Sequence, residues 1–101
     1  MTTERIASFT APAPGELTVV EAGDTVLAVG NVDGTLHAVE DECTHAQCSL
    51  SEGDLEGTTL ICPCHFGRFD ITTGAVLGGP PASPVRSWKV VLEGTDLTVT
   101  S

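Results

Sequence analysis

The chain is short of basic residues, of aromatics and of long apolar runs, and each shortage closes off a class of function. Four Lys and Arg stand against 14 Asp and Glu, a formal net charge of −10. Such a chain repels phosphate backbones and anionic lipid, so neither nucleic acid nor a membrane surface is an expected partner. A protein with a basic docking patch fits better, although acidity also serves plain solubility. No stretch approaches the roughly 20 apolar residues that a membrane-crossing helix needs. The first 30 residues hold no basic segment leading into an apolar one, so the expected location is cytoplasmic. No window of helical length carries a sustained 3.6-residue period, and no internal repeat is visible. Also missing are a Ser/His/Asp arrangement, a phosphate loop and a nucleotide fingerprint.

What is present is a sequence of strands and turns. At 101 residues, 41% of them hydrophobic but only four aromatic, the chain makes one compact domain. Leu17 to Glu21 and Thr25 to Val32 are β-branched runs around a turn at Ala22-Gly23-Asp24. Asp33-Gly34 then turns the chain into Leu36 to Val39. Arg86 to Leu92 and Leu97 to Thr100 form a last hairpin. Between residues 40 and 73 the alternation lapses, except for a short strand at Thr58 to Ile61, and cysteines, histidines, glycines and acids take over. Gly78 to Pro84, with three prolines, cannot sustain a hydrogen-bond ladder and reads as a loop. The expected architecture is an all-β antiparallel sandwich or barrel. Its base comprises residues 1–39 and 74–101, and residues 40–73 form an inserted subdomain that bears a site.

That insertion holds all four cysteines and two of the three histidines, as Cys43-Thr44-His45-Ala46-Gln47-Cys48 and Cys62-Pro63-Cys64-His65. Each cluster offers a thiolate and an imidazole, so two loops closing on one object is the expected geometry. Two metal readings compete. A structural zinc takes two cysteines and two histidines tetrahedrally. A [2Fe–2S] cluster can take the same four side chains, divided between its irons. Zinc leaves Cys48 and Cys64 without a role, and the C-x-H spacing is shorter than the usual zinc knuckle. His37, alone in an alternating strand, reads as a structural residue. No iron centre of two histidines and a carboxylate can therefore be assembled, and the chain is not itself an oxygenase. Trp88 reads as core, and Arg68 and Lys89 as solvated positions. Glu40, Asp41, Glu42, Glu52, Asp54 and Glu56 flank the site and are placed to steer a basic partner.

The motifs CTHAQC and CPCH, followed by Phe66-Gly67-Arg68-Phe69-Asp70 and then GGPPASP, resemble the two cluster loops and the proline loop of Rieske iron–sulfur proteins. The resemblance covers most of residues 15 to 100. It implies a Rieske-like fold with a cluster-binding subdomain, with Cys43 and Cys62 on one iron and His45 and His65 on the other. It also implies a disulfide between Cys48 and Cys64, a pairing of the branch related to cytochrome bc and b6f complexes. In a chain-entropy model such a bridge contributes ~3 kcal/mol. Gly67, Phe69 and Pro80 would surround the cluster. The implied function is that of a small ferredoxin carrying single electrons from a flavoprotein reductase to a terminal oxygenase. The competing role is a subunit of a bc-type or arsenite-oxidase-like complex.

Two thiolates and two neutral imidazoles leave an oxidised cluster formally neutral, whereas four thiolates leave it doubly negative. Histidine ligation therefore raises the potential, into a range of about −150 to +300 mV. Hydrogen bonds to the sulfurs raise it further. High-potential members of the family carry Ser and Tyr hydroxyls where this chain has Gly67 and Phe69. A redox titration is accordingly expected to place this protein in the lower half of that range, and a strongly positive potential would contradict the reading.

Overall fold

The computed structural model describes residues 2–42, 48–64, 67–78 and 83–101. Among them are ten strands: β1 Thr3–Ile6, β2 Leu17–Ala22, β3 Thr25–Val32, β4 Thr35–Glu40, β5 Asp54–Glu56, β6 Thr59–Ile61, β7 Arg68–Asp70, β8 Val76–Gly78, β9 Ser87–Glu93 and β10 Asp96–Thr100. A single 3-10 turn spans Leu50–Glu52. Every strand pairing is antiparallel, in a six-stranded sheet of order β1-β10-β9-β4-β3-β2 and a four-stranded sheet of order β5-β6-β7-β8. The expected all-β class is what the chain adopts.

The long hairpins follow the turn chemistry. Ala22 pairs with Thr25, so the first turn is Gly23-Asp24. Val32 pairs with Thr35 around Asp33-Gly34, both at positive φ. Two left-handed residues in a row match the right-handed twist of the flanking strands, which is why Asp-Gly is favoured there. The large sheet curls until its edge strands meet. Glu4 of β1 lies so close to the β2–β3 turn that a Cβ on Gly23 would sit 3.3 Å from its carboxylate oxygen.

β3 and β4 are buried on both faces. Leu27 and Val29 of β3 and Ala38 of β4 point into the curl with Phe9, Val20, Ala22, Trp88, Leu97 and Val99. Ala28 and Val39 point the other way, against Leu50, Leu60, Phe69, Ile71 and Val85 of the smaller sheet and its surroundings. This explains why residues 25–32 read as a nearly continuous apolar run, since a strand covered on both sides has no polar face to alternate with. Trp88 is core, and its Nε1 donates to Glu40 Oε2 at 3.1 Å.

Four strands went unread in the sequence. β1 has only Ile6 to bury and is held by pairing with β10, in register from Thr3↔Thr100 to Ile6↔Leu97. β5, β7 and β8 are three residues each, too short to show a period. Each is held by its neighbours in the small sheet, with Phe69 as the one fully buried anchor. The strand read from Thr58 begins at Thr59.

Two glycines set how closely the layers approach. A Cβ on Gly30 would stand 2.5 Å from Ile71 Cδ1 and 3.0 Å from Leu17 Cδ2 and Leu55 Cδ2, so the missing side chain lets the small sheet seat on β3. Gly74 combines a φ of 84° with a virtual Cβ 1.9 Å from Val85 O, and its own carbonyl accepts from Val85 N at 3.0 Å. It thus pins the chain just before β8 against the chain just before β9. Gly30→Ala meets flexible side-chain ends and is expected to cost about 1–3 kcal/mol by overpacking. Gly74→Ala meets backbone in a left-handed conformation and should cost more than Gly30→Ala. Urea or thermal melts of the two variants check the order.

Candidate metal centre

Two loops emerge from the small sheet and its approach. The first, residues 43–48, is closed at its base by an antiparallel bridge between Glu42 and Ser49. Asp41 anchors both of its stems. Its N–H donates to Val26 O at 2.9 Å and its carbonyl accepts from Leu50 N at 2.7 Å. Its carboxylate Oδ1 accepts from Ser51 N at 2.7 Å, at the start of the 3-10 turn. The second loop, residues 62–67, joins β6 to β7 and is closed by Cys62 N donating to Gly67 O at 2.7 Å. Beyond β8 runs the proline-rich segment.

The Cys48–Cys64 disulfide ties the first loop to the second, with a Cα–Cα distance of 6.3 Å. Cys62 is left as a free thiol, fully buried against the core below the loops. Gly67 is buried beside it: a Cβ there would lie 3.9 Å from both Cys62 Cβ and Phe69 Cε2. Phe69 fills the core under this corner, 2% exposed. Cys43, His45, His65 and Pro80 lie outside the described residues. Among the described residues no group of three His, Cys, Asp or Glu converges as a metal site.

The donor set nevertheless discriminates. With Cys48 and Cys64 joined, at most Cys43 and Cys62 remain as thiolates, so a four-cysteine iron–sulfur site is excluded. The remaining donors fit a cluster that takes two thiolates and two imidazoles. The cysteines that zinc left idle are used as a clamp.

The flanking acids divide into two kinds. Glu42, Glu52, Asp54 and Glu56 are exposed and free to act as surface charge. Asp41 is 5% exposed and acts as a loop anchor, while Glu40 receives the Trp88 indole N–H. Asp41's role had no local signal, because its carboxylate partner lies ten residues away. His37 sits half-buried in β4 opposite Gly30. Asp70 ends β7 and leads into a turn. The Thr72 hydroxyl and backbone N–H, at 2.6 and 2.9 Å, hold its carboxyl below the usual range, with a smaller contribution from His37.

A curled antiparallel β domain carrying two cysteine–histidine loops clamped by a disulfide defines a class of iron–sulfur protein. Residues 5–89 match the Rieske [2Fe-2S] domain family, and the chain belongs to it. Among its relatives, the biphenyl dioxygenase ferredoxin subunit of Pseudomonas sp. (strain KKS102) is 38% identical over 100 residues, 98% of this chain and 92% of the relative. Sphingomonas yanoikuyae B1 ferredoxin superposes with a TM-score of 0.87 at 32% identity, covering 99% of each chain. A chain in the complex of reduced oxygenase and oxidised ferredoxin of carbazole 1,9a-dioxygenase superposes at 0.86 with 33% identity, covering 95% of this chain and 92% of that one. Family membership carries a [2Fe–2S] cluster with it and retires the zinc reading.

Gly67→Ser tests the geometry around Cys62. The 3.9 Å spacing admits a Cβ without displacing anything, and the new hydroxyl can then donate toward the thiolate. Hydrogen bonds to charged groups contribute about 1.5–3 kcal/mol, so the reduction potential is expected to rise by something on the order of 100 mV. An unchanged potential in a folded, cluster-loaded variant would show that the hydroxyl does not reach the sulfur.

Proposed function

We propose that this chain is a one-electron carrier, the ferredoxin component that links a flavoprotein reductase to a ring-hydroxylating oxygenase. The observation that carries the reading is the pair of loops clamped by Cys48–Cys64 over the buried Cys62 thiol, in a chain that spans 92% of a relative with that role. In this reading Cys43 and Cys62 hold one iron and His45 and His65 the other. The chain is one domain, with a base of residues 1–39 and 74–101 and a cluster-binding part of residues 40–73. When bound, such a cluster accepts and releases single electrons without binding an organic substrate.

The protein's own residues do the rest. Cys62 is held rigidly because its backbone is pinned to Gly67 and its side chain is packed in the core. A rigid site keeps the reorganisation that accompanies a change of charge small. Asp41 and the disulfide fix the first loop against the second. Glu42, Glu52, Asp54 and Glu56 give the flanks a negative field that draws a basic partner surface, raising association rates in a salt-dependent way. Among the described residues no helix is long and apolar enough to cross a membrane; a cytoplasmic location is part of the proposal. The clamp is also a mark of the bc-type branch, but the match over nearly the whole of a stand-alone ferredoxin subunit favours the ferredoxin role.

Purified protein should contain iron and acid-labile sulfide, and give a Rieske-type EPR signal after dithionite. Added to a biphenyl dioxygenase system lacking its own ferredoxin, it should restore NADH-driven turnover in a way that weakens at high salt. Cys62→Ser should lose both the signal and the transfer. A bound zinc in place of iron, or a loaded cluster that neither accepts electrons from such reductases nor passes them on, would sink the proposal.

A further inference from the structure

The disulfide does more than join two loops, because its two ends sit in different surroundings. Cys64 is exposed, whereas Cys48 is half-buried and lines a cleft of about 460 Å³. Among the described residues that line the cleft, the charged ones are Asp24, Glu40, Asp41 and Glu42, and none is basic. Arg86 belongs to an adjoining cleft, which it shares with Asp24, Glu40 and Glu4, so its charge is already outnumbered. We propose that Cys48–Cys64 is a charge-selective thiol-exchange site, which opens to neutral and cationic thiols and resists anionic ones.

The chemistry is two successive displacements. An external thiolate attacks the exposed Cys64 sulfur and forms a mixed disulfide, while the Cys64–Cys48 bond breaks and Cys48 leaves as a thiolate that takes a proton from water. A second external thiolate then attacks the external sulfur of that mixed disulfide and releases Cys64. Two external thiols are oxidised to their disulfide, and the protein disulfide is reduced by two electrons. Exchange of this kind depends on the leaving thiol and on access. Here the leaving sulfur gathers negative charge at a cleft lined by four acidic residues, of which Asp24 and Glu42 are exposed, and an attacker that brings a further negative charge meets the same field. An ammonium group on the attacker offsets it. The selectivity thus protects the clamp from acidic thiols of the glutathione type, whose exchange would otherwise release the first loop from the second.

The test uses the cluster-loaded protein and three thiols of one size class: cysteamine, 2-mercaptoethanol and 2-mercaptoethanesulfonate. Alkylation and peptide mass spectrometry read the opening of Cys48 and Cys64, and each rate is normalised to the same thiol's attack on a neutral small disulfide. At low salt cysteamine is expected to outpace the sulfonate by about tenfold or more. The gap should close in 1 M salt, where screening acts within about 3 Å. Asp24→Asn with Glu42→Gln, both exposed positions, should narrow the gap severalfold. Asp33→Asn with Glu93→Gln removes the same charge at the β3–β4 and β9–β10 turns and should leave it nearly intact. Equal normalised rates, a gap indifferent to salt, or equal narrowing by the two pairs of substitutions would each overturn the proposal. So would a disulfide that none of the thiols opens in the folded protein.

Discussion

The burial of β3 and β4 on both faces is the constraint from which the rest of the molecule follows. One face closes the curl of the large sheet over Leu27, Val29 and Trp88, and the other receives the small sheet through Ala28, Gly30 and Val39. Because Gly30 offers no Cβ, Ile71 and Leu55 come down onto the strand itself, and the small sheet is seated with little freedom to slide. The described stems of the second loop, between β6 and β7, extend from that seated sheet, so packing against the base places them.

At the site, covalent and polar restraints take over from packing. The first loop is tied at its stems by the Glu42–Ser49 bridge and by Asp41, whose three hydrogen bonds reach β3, Leu50 and Ser51. The second is closed by Cys62 and Gly67. The disulfide then joins the described stems of the two loops into one frame. A buried carboxylate would ordinarily be a liability, but Asp41 has its partner and trades surface charge for position.

The sequence was most legible where chemistry and turn geometry are local. Asp33-Gly34 announces its hairpin because two consecutive left-handed residues are needed, and the apolar run from residue 25 to 32 announces a strand covered on both sides. The C-x-H and C-x-x-H pairs announce a metal site because thiolates and imidazoles at such spacings have few other uses. The small sheet was illegible, since β5, β7 and β8 each bury about one side chain and exist by virtue of their neighbours. Asp41 escaped for the same reason: in sequence it is one of three consecutive acids, Glu40-Asp41-Glu42, and only the fold separates the anchor from the solvated charges. The surroundings of Cys62 stand between these extremes. Gly67 and Phe69 could be named from the motif, but that Gly67 leaves an occupiable space beside Cys62 is visible only in three dimensions.

The pairing of β1 with β10 has a consequence for how the molecule comes into being. Residues near one end of the chain can form no ladder until residues near the other exist, with Thr3 facing Thr100 and Thr2 hydrogen-bonded to Ser101. Such pairings lie at the greatest sequence separation the chain allows, where closing entropy is largest and rates are slowest. The central hairpins and the loops that follow them depend on no such contact. Closing of the curl therefore waits on β10, while the hairpins between can pair with β1 still free.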